Sequence, residues 1–143
     1  SQPSLKVHIR AGIDSGQKIR LRGKGMPGQN GGQAGNMLLE VTVQSKPGFE
    51  RKGTDLYTTV EIPFETAVLG GEAIVPTLTG KVSCKIKEGT QSGTKIRLKG
   101  KGIVSMKNPS RKGDEYAVIQ IHVPKHLTPA AKQKLTEYAK AAS

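Results

Sequence analysis

"VHIRAGIDSGQKIRLRGKG" at residues 7–25 is repeated as "CKIKEGTQSGTKIRLKGKG" at residues 84–102, at a constant shift of 77 positions. Beyond a variable loop, "GNMLLEVTV" (35–43) matches "GDEYAVIQI" (113–121), with one residue inserted and the apolar positions in the same phase. A match of this length with conserved phase indicates an internal duplication, so the chain contains one structural unit twice.

The repeated segments alternate apolar and polar residues with a period of two, as in Ile19 and Leu21 and again in Ile96 and Leu98. This period is typical of half-buried strands. The glycines between them supply turns. A phosphate-binding loop is the other interpretation of "GKG", but such a loop leads into a helix, and no helical pattern follows here. The repeat therefore predicts a mainly β architecture.

The second copy is preceded by segments that the first copy lacks. "TDLYTTVEIPF" (54–64) alternates through Phe64, "ETAVLGG" (65–71) predicts a short helix stopped by glycine, and "EAIVPTLTGKV" (72–82) predicts a hairpin turning at Thr79–Gly80. We therefore expect residues 1–47 to form the C-terminal half of a first β-domain, 48–53 a junction, and 54–124 a complete second domain. The chain is then expected to be a fragment of a longer protein.

The C-terminal segment, residues 126–143, predicts a helix from Pro129 to about Ala141, with Thr128 as its N-cap. Its apolar residues form one narrow stripe together with the residue before the cap: Leu127, Ala131, Leu135 and Tyr138. Such a stripe either packs on its own domain or pairs with a second subunit. Pairing about a two-fold axis buries two stripes at once, which favours a homodimer.

The charge is strongly basic, with 23 Lys and Arg against 11 Asp and Glu. Acidic partners are therefore expected, and weak, non-specific binding to duplex DNA is the alternative function. The 2 Phe and 3 Tyr leave little capacity for stacking bases. No apolar run reaches the length of a membrane span, no signal peptide is visible, and the single cysteine cannot form an internal disulfide. We expect a cytoplasmic protein without a metal site in this chain.

The motifs together resemble a known family. "IRAGIDSGQKIRLRGKGMPG", "KPGFERKGTDLYTTVEIPFETAVLGGEAIVPTL" and "LTPAAKQKL" are similar to the C-terminal substrate-binding region of DnaJ-type J-domain co-chaperones, and the similarity covers almost the whole chain. The resemblance implies two similar β-sandwich-like domains in tandem, the first incomplete here, followed by a helix that pairs two subunits. The J-domain and the zinc-binding cysteine repeats of that family are absent from this chain, so any zinc would belong to an upstream region.

The resemblance also implies a binding site for unfolded polypeptide, in a shallow apolar groove lined by a phenylalanine that matches Phe49. This chain departs from the family pattern at Lys46, where the family has histidine, and at Lys52, where it has an acid. Leu21 and Met26 are further candidates for the groove. The alternative for Phe49 is a plug that seals the junction of the two domains. The predicted function is that of a non-enzymatic, stress-response co-chaperone module that delivers non-native polypeptide to a DnaK-type ATPase chaperone.

Overall fold

A computed structural model of the chain describes residues 11–14, 18–21, 37–40 and 46–143. Its elements in chain order are β1 (Lys18–Leu21), β2 (Met37–Glu40), β3 (Glu50–Lys52), β4 (Asp55–Pro63), α1 (Phe64–Leu69), β5 (Gly71–Thr77), β6 (Gly80–Ile86), β7 (Lys95–Leu98), β8 (Glu115–His122) and α2 (Pro129–Ala142).

The duplication is visible in how the strands pair. β1 pairs antiparallel with β2, with Lys18 opposite Glu40 and Leu21 opposite Met37. β7 pairs antiparallel with β8 in the equivalent register, with Lys95 opposite Val118 and Leu98 opposite Glu115. The predicted strands of the repeat are therefore confirmed where the structure describes them. The strand residues predicted before Ala11 and after Glu40 in the first copy lie outside the described residues.

The second copy forms a sandwich-like domain. One layer is a four-stranded sheet in the order β3-β4-β8-β7, in which β4 and β8 run parallel, and the other is the β5–β6 hairpin. Alternate residues of β4 are buried, as the sequence pattern predicts, and they pack with the inner faces of β5 and β8. The core comprises Val60, Ile62, Ala67, Ala73, Val75, Ile86, Ala117 and Ile119.

Three local details differ from the sequence predictions. The hairpin turns at Leu78–Thr79, one position early, because Gly80 already pairs with Thr77. The Thr77 hydroxyl stabilises this turn by accepting from the Thr79 N–H and donating to the Gly80 carbonyl. Phe64 does not continue the buried face of β4, because the strand ends at Pro63 and Phe64 begins α1. Within the predicted junction, residues 50–52 form β3, the edge strand of the second sheet.

Both predicted helices are present. α1 ends at Gly70, whose φ of 81° lies in the left-handed region that glycine tolerates. α2 begins as predicted, with Pro129 in its first turn and the Thr128 hydroxyl accepting from the Ala131 N–H at 3.1 Å. No residue of α2 is buried. In the described part of the chain, neither helix has the length and apolar content needed to cross a membrane.

Candidate functional site

Phe49 lies in a turn that leads into the edge strand β3. Its N–H donates to the Lys46 carbonyl at 3.2 Å, and the Thr58 hydroxyl of β4 donates to the Gly48 carbonyl at 2.8 Å. The Phe49 residue is half-buried and is not a member of the domain core. Since one hydrogen bond closes the turn and the other joins it to β4, the position of Phe49 is set by the fold.

Beside Phe49, the outer face of the four-stranded sheet contains a shallow depression of about 520 Å³. We call it the lysine–tyrosine groove, defined by Phe49, Lys52, Tyr57, Lys95 and Val118. The strand register explains its lining, because Tyr57 lies opposite Glu50 on β3, and Lys95 lies opposite Val118 on β8. Aromatic, apolar and ammonium groups line the same depression, and this combination suits an extended chain that carries both apolar and acidic groups.

Aromatic and cationic groups contact one another in this groove. Tyr57 and Tyr116 stack with their centroids 5.1 Å apart and an interplanar angle of 22°. The Nζ atoms of Lys52 and Lys95 lie 4.7 and 5.6 Å from the Tyr57 centroid, and Lys46 Nζ lies 5.6 Å from the Phe49 centroid. Stacked tyrosines could not be predicted from the sequence, because Tyr57 and Tyr116 become neighbours only through the parallel pairing of β4 and β8.

Arg51 connects this site to the first copy of the repeat. Its guanidinium donates to the carbonyls of Gly12 at 2.6 Å, Ile13 at 2.8 Å and Gly53 at 2.7 Å. Gly12 has a φ of 86° and lies so close to the Val104 carbonyl that a Cβ at this position would overlap it. Arg51 and Gly12 thus join the two copies just behind β3. Sequence reasoning missed this role of Arg51, since an arginine in a polar turn carries no signal of a contact so distant in the chain.

The other two residues predicted for polypeptide binding, Leu21 and Met26, belong to the first copy of the repeat. Leu21 is the last residue of β1 and pairs with Met37 of β2. Met26 lies outside the described residues. The grouping of Leu21 and Met26 with Phe49 therefore stays a prediction.

The residues predicted to pair two subunits are accessible. Leu127, Leu135 and Tyr138 are 40%, 42% and 49% exposed, and Ala131 is also exposed. An apolar stripe that packed on its own domain would lose this exposure, so the alternative in which α2 packs on its own domain is not the arrangement seen in the structure. Pairing with a second subunit stays a prediction.

The described residues contain no group of three or more His, Cys, Asp or Glu side chains that could hold a metal ion.

Comparison with known proteins places the chain in a family context. A family model described as "DnaJ C terminal domain" matches residues 1–124. A "Chaperone protein DnaJ" from Lachnospira eligens is 44% identical over 141 residues, which cover 99% of this chain and 38% of the relative. Proteins with the same name from Burkholderia thailandensis and Paraburkholderia phymatum are 46% and 44% identical over 137 residues. The chain spans less than two fifths of the length of these relatives.

Proposed function

The chain belongs to the DnaJ C-terminal domain family, and from this membership we propose that it is the polypeptide-binding module of a DnaJ-type co-chaperone. Family membership supports a chaperone role. The finer proposal is that the module holds non-native polypeptide at Phe49 for delivery to a DnaK-type ATPase chaperone, without catalysing a reaction, and that the whole protein acts in the cytoplasm.

The position of Phe49 is the observation that carries the proposal. Phe49 lines the depression beside the edge strand β3, which pairs with β4 on one side only among the described residues. An extended client segment can form main-chain hydrogen bonds with such an edge and insert a side chain beside the ring. A junction plug would instead belong to the packed interior, and Phe49 is not among the core residues in the part of the chain that the structure describes.

We further propose that α2 pairs two copies of the chain through Leu127, Ala131, Leu135 and Tyr138. Two linked modules engage one client with a higher effective concentration than either does alone. The stripe is narrow, so we expect a dimer whose population depends on protein concentration. The comparisons give no support to duplex DNA binding as the alternative function.

Replacing Phe49 tests the proposed function. Phe49→Ala is expected to weaken binding of a labelled unfolded protein by about 1–3 kcal/mol, the usual cost of truncating an aromatic anchor, with little change in melting temperature. Phe64→Ala is a matched control, because Phe64 is the only other phenylalanine, is 38% exposed and begins α1 away from the groove. Fluorescence anisotropy measures binding, and circular dichroism measures melting.

Binding that is unchanged in Phe49→Ala would refute the proposed site. A loss of binding that only follows a lower melting temperature would instead indicate the junction plug.

A further inference from the structure

Two lysines of the groove, Lys52 and Lys95, and a third beside it, Lys46, are candidates for binding an anionic ligand. In the part of the chain that the structure describes, the ion pairs join Arg51 with Asp14, Arg97 with Asp114, His122 with Glu61 and Lys134 with Glu137. Lys46, Lys52 and Lys95 form no ion pair among these residues, and their ammonium groups lie on the rings of Phe49 and Tyr57. An exposed cation–π contact is weak, so each ammonium group retains the capacity to bind a carboxylate.

The acidic groups nearby neutralise these lysines only in part. Glu50 is the single carboxylate among the residues that line the depression. The Asp55 carboxylate, on the same face, accepts a hydrogen bond from the Asp114 N–H at 2.8 Å. Glu61 Oε1 lies 2.5 Å from His122 Nδ1. Lys46, Lys52 and Lys95 against Glu50 and Asp55 leave this face with one excess positive charge, which favours anionic groups.

The groups that cover the Tyr57 ring distinguish between two anionic ligands, a nucleic acid strand and an acidic peptide. A nucleic acid strand gains affinity here by stacking a base on an open ring. One face of Tyr57 is covered by Tyr116, and Lys52 and Lys95 lie over its ring. A carboxylate reaches the same ammonium groups without displacing the rings, and a peptide can also use the free edge of β3. The groove therefore fits an acidic peptide better than a nucleic acid.

We infer that the lysine–tyrosine groove selects client segments in which an apolar or aromatic residue is flanked by Asp or Glu. The apolar residue contacts Phe49 and Val118, and the acidic flanks bind Lys52 and Lys95, with Lys46 at the end near Phe49. This inference rests on the proposed function and names the class of client that the module prefers.

Three labelled peptides test the selection. They share one apolar core and differ in the flanking residues, which are Glu, Gln or Lys. Fluorescence anisotropy is expected to show the Glu-flanked peptide binding about 5-fold more tightly than the Gln-flanked one at about 0.05 M salt, since each exposed ion pair contributes modestly. The ratio should approach one at about 0.5 M salt, where the charges are screened. The Lys-flanked peptide should bind most weakly.

The double substitution Lys52→Gln and Lys95→Gln is expected to bring the Glu-to-Gln affinity ratio close to one. The matched control, Lys81→Gln with Lys85→Gln, removes two exposed lysines from β6 in the other sheet and should leave the ratio unchanged. A ratio of one in the unsubstituted protein, or a preference that survives the double substitution, would overturn the inference and leave the proposed function standing. Failure of all three peptides to bind would refute both. An oligo-dT strand that binds more tightly than the Glu-flanked peptide, and loses affinity in the double variant, would identify a nucleic-acid site and overturn the inference.

Discussion

Replacing Glu115 with methionine is expected to stabilise the second domain. Glu115 is fully buried on β8 between Leu56 and Leu98, and neither of its carboxylate oxygens has a hydrogen-bond partner among the described residues. Burial raises the pKa of Glu115 above its ordinary value, and the positive charge of Lys101 lowers it in part. The first copy of the repeat has Met37 at the equivalent position, which shows that this strand position accepts an apolar side chain of similar length.

The magnitude follows from the cost of leaving a buried polar group unsatisfied, about 1–3 kcal/mol. Glu115→Met removes that cost and adds little strain, since the two side chains are similar in size. For a domain of this size, 1 kcal/mol corresponds to about 4–8 °C in melting temperature. We therefore expect an increase of roughly 5–15 °C by circular dichroism or calorimetry.

The stabilisation should depend on pH, with a sign set by the raised pKa. Above the raised pKa of the folded state the Glu115 side chain is charged in both the folded and the unfolded protein, and the folded protein bears the full cost of burying the charge. As pH falls through the raised pKa of the folded state, the folded protein takes up a proton and the cost decreases, until the unfolded chain is also protonated near pH 4. The difference between variant and wild type should therefore be largest at neutral pH and smaller below about pH 4.

Glu115→Gln separates the cost of burying a charge from the cost of burying a polar group without a hydrogen-bond partner. Like methionine, glutamine removes the titration, but it retains a buried amide, so it should stabilise less than methionine does, and the difference between the two variants should not depend on pH. A Glu115→Met protein that melts at or below the wild-type temperature would refute the reasoning. So would a stabilisation that stays constant from neutral pH to pH 4.

Two further predictions concern the contacts between units. Removing residues 126–143 is expected to convert a concentration-dependent dimer into a monomer in sedimentation experiments, because the apolar stripe of α2 is lost. A dimer that survives the truncation would exclude α2 as the pairing element. Gly12→Ala is expected to lower the melting temperature by several degrees and to increase amide hydrogen exchange around Arg51. The reason is that a Cβ would overlap the Val104 carbonyl and displace the loop that Arg51 binds. Unchanged exchange at Arg51 would mean that this contact does not join the two copies.

The sequence by itself determined the features that depend on neighbouring residues. The alternation in β4, β7 and β8 reports which side chains share a face, and the observed burial follows it. The Thr128–Pro129 signal located the start of α2, because capping is a contact within one turn of helix. Because the sequence repeats, the strands predicted in the second copy also predict β1 and β2 in the first copy. The register of β1 and β2 matches that of β7 and β8.

Tertiary structure decided which distant segments meet. Tyr57 and Tyr116 stack because β4 pairs in parallel with β8, and alternation within each strand carries no information about its neighbour. The same pairing buries Glu115 at a position where a carboxylate is costly, although the pattern around it is that of an ordinary strand. The groove and the unpaired lysines also depend on this pairing. Local periodicity predicts the faces of strands, whereas the order of strands in a sheet is set by packing over the whole domain.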